Sequence, residues 1–148
     1  MVDIHHKLLK TLFIAFLFIG VGCHETRTGS NPEPQQLLEG TWNWEQSSGG
    51  FAGTTIKPED SGYRIKRIFT GDSEFMVYRN DTLLYSGTYS IQPPADKKQD
   101  YIIKYEVQQQ NDNYKTTNQP AQYISFVSAD SLVLMDTCFD CYTSFWSR

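Results

Sequence analysis

The chain has 148 residues, of which 39% are hydrophobic and 20% charged, a length and composition typical of one globular domain. Its net charge of −4 argues against nucleic acid as a partner, because binding to phosphates depends on clustered Lys and Arg. Aromatic residues make up 14% of the chain, and this abundance favours β-strands.

Residues 1–22 have the pattern of a secretory signal peptide. Lys7 and Lys10 precede an unbroken apolar run at 12–19, and small residues follow it at 20–22. The run is far shorter than the roughly 20 apolar residues that span a bilayer, which favours a cleaved signal over an uncleaved membrane anchor.

Cys23 directly follows these small residues, and the stretch resembles the lipobox of bacterial lipoproteins. In those proteins the cysteine is acylated and the signal is cut before it. The resemblance implies that Cys23 is the lipidated first residue of the mature chain, anchored in the bacterial cell envelope on the periplasmic side or at the cell surface. Gly20 departs from the commonest lipobox, which has Leu there, and ordinary secretion is the alternative because Gly20 and Gly22 also fit a simple cleavage site.

Residues 23–36 are expected to form a flexible polar tether behind the lipidated cysteine. No apolar residue occurs from His24 to Gln36, and Gly29, Pro32 and Pro34 interrupt the segment. Such a sequence buries nothing and stays extended. The folded domain is therefore expected over residues 37–148.

The domain sequence consists of short runs in which apolar and polar residues alternate, separated by turn residues. The clearest runs are 83–91 and 101–108, in which nearly every second residue is apolar. Period two with one apolar face predicts half-buried strands. The eight predicted strands are 41–46, 64–69, 74–78, 83–91, 101–108, 122–127, 132–136 and 142–147.

Eight strands joined mostly by hairpin-length links predict an all-β fold, an eight-stranded antiparallel up-and-down β-barrel. A two-sheet β-sandwich is the alternative. The longest link, at 47–62, contains four glycines, and Phe51 and Ile56 are isolated apolar residues within it. It is interpreted either as a lid that meets a ligand or as a loose surface loop.

Gly40, Thr41 and Trp42 resemble the Gly-x-Trp signature at the first strand of lipocalins and their relatives. In that superfamily the Trp closes one end of the barrel, and an Arg near the end of the last strand lies across its indole. Arg148 stands at the corresponding place, so the resemblance implies a cation–π contact between Trp42 and Arg148 that closes the barrel.

The whole mature chain resembles the lipocalin-like bacterial lipoproteins of uncharacterised role. The shared features are the GTW motif, a Gly-rich first loop, the segment DSLVL at 130–134 and the segment DTCFDCYTSFWSR at 136–148. The family often has Gly where this chain has Cys141. These motifs belong to the scaffold, so the resemblance implies a fold more firmly than an activity.

Cys138 and Cys141 form a C-x-x-C pair. If Cys23 is acylated, these two cysteines remain in an oxidising compartment, and a disulfide across the last hairpin is expected. A redox-active pair is disfavoured because the first cysteine lies between strands rather than at a helix start. A metal site would have to recruit Asp136 and Asp140, an uncommon set with thiolates.

An enzyme is not expected, and neither is a cofactor or a metal. The three histidines are His5, His6 and His24, all before the predicted domain. The domain therefore contains neither a Ser-His nor a Cys-His pair, and the commonest general base is missing.

The first functional hypothesis is a barrel that binds a small apolar ligand, with Phe51, Tyr85, Tyr89 and Tyr105 lining its mouth or cavity. The alternative is a solid barrel filled by its many rings, which acts as a protein-interaction module or protease inhibitor. The candidate contacts of that alternative are the tyrosines Tyr78, Tyr114 and Tyr123 and the loop 108–119.

Overall fold

The computed structural model describes residues 32–94, 100–113 and 121–148. Several of the predicted features lie outside these residues. They are the signal peptide at 1–22, the lipidation site Cys23, most of the tether, and Tyr114 with the end of the loop 108–119. Within them, no helix has the length and apolar character needed to cross a membrane.

The described residues form two short helices and nine strands. The helices are α1 (Pro34–Leu38) and α2 (Pro58–Ser61). The strands are β1 (Gly40–Gly49), β2 (Thr54–Ile56), β3 (Ile65–Phe69), β4 (Glu74–Arg79), β5 (Thr82–Gln92), β6 (Tyr101–Gln110), β7 (Gln122–Ser128), β8 (Ser131–Asp136) and β9 (Tyr142–Ser147).

The strands close into an antiparallel barrel. Strands β3 to β8 each pair with the next strand along the chain, and β1 pairs with both β3 and β9. In the closing pair, Trp44 lies opposite Trp146 and Gly49 lies opposite Tyr142. This closure confirms the predicted eight-stranded up-and-down barrel. The β-sandwich alternative is wrong, because a sandwich consists of two separate sheets and these strands form one closed sheet.

Strand β2 is a ninth strand that was not predicted from the sequence. It pairs with the end of β1, with Ser47 opposite Ile56 and Gly49 opposite Thr54, inside the segment 47–62 that was expected to be a loop. The segment lacks apolar alternation, so its hairpin is marked only by glycines. Gly50 and Gly53 have φ of +71° and +63°, which a turn requires and which glycine adopts without strain.

One end of the barrel, defined by Gly40 and Phe69 at the paired ends of β1 and β3, is closed by α1. Leu38 at the end of α1 is fully buried, and the indole Nε1 of Trp42 donates a 2.7 Å hydrogen bond to its carbonyl oxygen. The side chain of Gln35 donates to the carbonyl oxygen of Gly71 in the β3–β4 turn. We call this the closed end.

The opposite end, the open end, carries the β1–β2 hairpin and the loop between β8 and β9. Cys138 and Cys141 form a disulfide across that loop, with their Cα atoms 5.5 Å apart, and the predicted pairing is confirmed. The bridge fixes the turn that leads into Tyr142 at the start of β9.

A cavity in the barrel and its buried arginine

The open-end half of the barrel contains a cavity of about 410 Å³. Its walls are mainly aromatic and aliphatic, with a few polar groups set among them. The lining residues are Trp44, Ser47, Ile56, Tyr63, Ile65, Arg67, Val77, Leu84, Tyr85, Gln122, Asp136, Tyr142, Ser144 and Trp146. A mostly apolar cavity with a few convergent polar groups is the usual form of a small-molecule site.

The alternation of the strands places these side chains inside. On β9, Ser144 and Trp146 are buried while Phe145 between them is exposed. On β3, Arg67 and Phe69 are buried. Because side chains two residues apart share one face of a strand, Arg67 occupies an inward position that an apolar residue would ordinarily fill.

Trp44 forms the wall where β1 and β3 separate. The register of these two strands ends at Asn43 opposite Lys66, and beyond that point Trp44 stacks on Tyr63 with ring centroids 5.8 Å apart. The guanidinium of Arg79 also lies 3.9 Å from the Tyr63 ring centroid. Both rings of this pair line the cavity.

Arg67 is the centre of a buried polar network. Its Nη1 donates hydrogen bonds to the side-chain oxygen of Gln122 at 2.9 Å and to the hydroxyl of Tyr105 at 3.2 Å. The Tyr105 hydroxyl donates to the same Gln122 oxygen at 2.9 Å, and Gln122 Nε2 donates to a carboxylate oxygen of Asp136 at 2.6 Å. The guanidinium also lies 4.8 Å from the Trp146 ring centroid.

The charge of Arg67 is therefore compensated only indirectly. Among the described residues no carboxylate forms a salt bridge with Arg67. Asp136 is connected to it through the Gln122 amide, which hydrogen bonds to both side chains. Its Nε is buried and has no hydrogen-bond partner in the described part of the chain. Arginine does not lose its proton in proteins, so the cavity wall carries one fixed positive charge.

Two pKa shifts agree with this picture of the network. Burial raises the pKa of the Tyr105 hydroxyl well above its ordinary value, which keeps the phenol neutral and able to donate. Burial by itself lowers the pKa of Arg67, but the attraction of Tyr105, Tyr85 and Asp136 outweighs it and the pKa is raised. The guanidinium stays charged and the phenol stays protonated.

The predicted ligand-binding residues fall in three different places. Tyr85 lines the cavity, and the Tyr105 hydroxyl contacts Arg67 at its wall. Tyr89 lies in the closed-end half, where its hydroxyl donates to the carbonyl oxygen of Thr70 at 2.9 Å. Phe51 lies at the tip of the β1–β2 hairpin with 97% of its surface exposed.

The residues predicted to close the barrel are in contact. The guanidinium of Arg148 lies 4.5 Å from the ring centroid of Trp42. Trp42 is fully buried at the closed end, so the stack joins the first strand to the end of the chain away from the cavity.

The sequence did not predict that three polar residues line the cavity, namely Arg67, Gln122 and Asp136. A signal for Arg67 was present, since it stands between the apolar residues Ile65 and Phe69 at period two. Leu84 was also not predicted to line the cavity, because alternation along the run 83–91 places it on the face opposite to Tyr85 and Tyr89. A β-bulge between Val77 and Tyr78 shifts the register of β4 on β5, and Leu84 is buried beside Tyr85 as a result.

In the described ranges no group of three His, Cys, Asp or Glu side chains is placed to hold a metal ion. The polar groups of the cavity can donate and accept hydrogen bonds and can compensate one negative charge, which suits binding. Comparison with known proteins adds nothing to this geometry: no family model, curated protein or solved structure matches the chain.

Proposed function

We propose that this chain is a lipid-anchored protein of the bacterial cell envelope whose lipocalin-like barrel binds a small, mainly apolar molecule. The observation that carries the proposal is the cavity of about 410 Å³, which is larger than the roughly 300 Å³ at which ligand pockets begin. Trp44, Val77, Leu84 and Trp146 give it apolar walls. A binding role, without catalysis, is the one this lining supports.

The envelope location is supported by the cysteines. The lipobox-like residues before Cys23 would direct acylation there, and the bridge between Cys138 and Cys141 is of a kind that persists in oxidising compartments. Several acyl chains on one residue would give stable attachment to a membrane, which a single chain does not. Metabolic labelling with palmitate tests this part: the wild-type chain should be labelled and Cys23→Ser should not.

Native mass spectrometry of the full chain, exported by a bacterial host and released gently from the membrane, tests the binding role. We expect a discrete adduct that is lost on denaturation. Val77→Phe should displace the adduct, because Val77 is buried and lines the cavity. Val127→Phe is the matched control, since 69% of the surface of Val127 is exposed. A bare wild-type chain, or an adduct unaffected by Val77→Phe, would refute ligand binding in the cavity.

A protein-interaction role is the second candidate, and exposed rings favour it. Phe51 and Phe139 are 97% and 94% exposed, on two loops at the open end. Exposed apolar side chains that lie together often mark a contact surface. Tyr78 and Tyr123 are half-buried and are weaker contact candidates. A pull-down from envelope extracts in which Phe51→Ser and Phe139→Ser both lose the same partner would favour this role.

A further inference from the structure

The cavity carries a chemical signature beyond its apolar walls, namely the single buried cation Arg67. We propose that the ligand is an acidic amphiphile, an apolar body with one carboxylate that pairs with the Arg67 guanidinium. This inference rests on the proposed ligand-binding function of the cavity and names the chemical class of the ligand.

Burial of Arg67 has a desolvation cost that the described side chains offset without a direct ion pair. Only 8% of its surface is exposed, and an ionised group removed from water is costly unless it is paired and fully hydrogen-bonded. Its Nη1 contacts two neutral groups, Gln122 and Tyr105, while its Nε has no partner among the described residues. An anion in the cavity would supply the direct counter-charge that the described side chains do not.

The shape of the group favours a carboxylate. A guanidinium is a planar fork whose N–H groups match the two oxygens of a carboxylate. The side chain of Tyr85 also lines the cavity and interacts with the same guanidinium. Asp136 lines the cavity too, and its negative charge disfavours a ligand that carries two charges, such as a phosphate monoester.

The rest of the cavity favours an apolar body attached to that carboxylate. Trp44, Ile65, Val77, Leu84 and Trp146 all line it, and they offer no further charge. Apolar area removed from water would supply the affinity, while Arg67 would fix the orientation of the head group. The pocket therefore combines the Arg67 cation, the Asp136 carboxylate held by Gln122, and an apolar surround. In this set the guanidinium is the group that can pair with the carboxylate of an amphiphile.

The test compares dodecanoate with dodecan-1-ol, which has the same apolar chain and no charge. The full chain is reconstituted in lipid nanodiscs, with empty nanodiscs as the blank, and binding is followed by tryptophan fluorescence, because Trp44 and Trp146 line the cavity. We expect dodecanoate to bind at least about tenfold more tightly than the alcohol, the size of effect that a hydrogen bond to a charged group gives. The cation dodecyltrimethylammonium should bind more weakly than both.

Two variants assign the effect to Arg67. Arg67→Met should remove the preference for dodecanoate and keep the affinity for the alcohol. Arg64→Gln, which makes the same charge change at an exposed position of the same segment, should keep the preference. If Arg67→Met does not fold, as judged by circular dichroism, the comparison of the three ligands on the wild-type chain still tests whether the cavity prefers an acidic head group.

The outcomes separate this inference from the proposed function. Equal affinity for dodecanoate and dodecan-1-ol, or a preference for the alcohol, overturns the acidic head group and leaves ligand binding standing. A preference for dodecanoate that survives Arg67→Met overturns the assignment to Arg67. Binding of none of the three, together with a bare chain in native mass spectrometry, overturns both proposals.

Discussion

The side chain of Arg148 lies over the indole of Trp42, with 4.5 Å between its guanidinium carbon and the ring centroid. It also donates hydrogen bonds to the carbonyl oxygens of Glu39 at 2.9 Å, Leu37 at 3.3 Å and Ala129 at 2.7 Å. One side chain thus connects the residue after β9 to α1, to the start of β1 and to the β7–β8 turn. Closure of this end depends on polar contacts as well as on ring packing.

Arg148→Ala should lower the free energy of unfolding by about 2 kcal/mol, since it removes both the cation–π contact and the hydrogen bonds to three carbonyl groups. Urea unfolding followed by tryptophan fluorescence measures the change. Arg64→Ala, at an exposed position, should change stability by less than about 0.5 kcal/mol. Equal stability of Arg148→Ala and the wild-type chain would show that the stack contributes nothing.

Gly87 on β5 should not tolerate a side chain. A Cβ atom at this position would lie 1.9 Å from the carbonyl oxygen of Glu106 on β6, beside a bulge between Ser86 and Gly87. Since the obstacle is backbone, we expect Gly87→Ala to lower the free energy of unfolding by about 2 kcal/mol or more. Thermal unfolding measures this loss.

The control for that substitution is Gly71→Ala. There the added Cβ would come no closer than 3.3 Å, to a side-chain oxygen of Glu39, and a flexible carboxylate can move away. Gly71→Ala should therefore cost much less than Gly87→Ala. A similar loss for both variants would mean that the close approach of the β6 backbone does not determine the effect.

The barrel was predictable from the sequence because its strands follow simple alternation. Tyr85, Gly87 and Tyr89 share one face of β5 with polar residues between them, and the same pattern continues in β6. Strand β2 was not predictable in this way, because Thr54 and Thr55 are exposed and only Ile56 of this strand packs against the core. One apolar residue does not make an alternating pattern.

The site was less predictable than the fold, because its polar members come from separate strands. Arg67 is on β3, Tyr105 on β6 and Asp136 on β8, and only barrel closure brings their side chains together. Alternation shows that each residue can point inward, but not at which height in the barrel it lies. That height depends on strand stagger and on bulges such as the one at Val77, which no single strand reveals.

The disulfide should contribute little to stability. The Cys138–Cys141 bridge encloses a sequence separation of only 3 residues, so by loop-closure entropy we expect reduction to cost at most about 2 kcal/mol. The reduced wild-type chain and the double variant Cys138→Ser, Cys141→Ser, each compared with the oxidised wild-type chain by urea unfolding, measure this. A loss above about 4 kcal/mol would mean that the bridge holds the barrel together rather than one turn.

Alkaline pH should destabilise the fold through its buried tyrosines. Burial raises the pKa of Tyr105 and, less strongly, of Tyr89, so the folded state holds these protons more tightly than the unfolded chain, whose tyrosines titrate near pH 10. Their contribution is fully present below about pH 10 and falls as the pH rises further, by up to about 1.4 kcal/mol per pH unit for each group. Tyr105→Phe should unfold with a shallower alkaline slope, whereas an unchanged slope would contradict the shift.

Arg67→Met should change the free energy of unfolding by less than about 1 kcal/mol. The substitution removes the desolvation cost of a buried cation and, with it, the interactions with Tyr105, Tyr85 and Asp136 that offset this cost. It removes a donor to the Tyr105 hydroxyl oxygen, but Gln122 still accepts from that hydroxyl at 2.9 Å and still donates to Asp136 at 2.6 Å.

Gln122→Leu is the contrasting variant for this last prediction. It would leave the Tyr105 hydroxyl, Arg67 Nη1 and the Asp136 carboxylate without the amide that now joins them, and we expect a loss of about 1–3 kcal/mol. Urea unfolding of both variants decides the role of the arginine. If Arg67→Met loses as much stability as Gln122→Leu, Arg67 is a structural part of the network. If only Gln122→Leu loses stability, the fold does not require the arginine, and its buried charge is best explained by what the cavity binds.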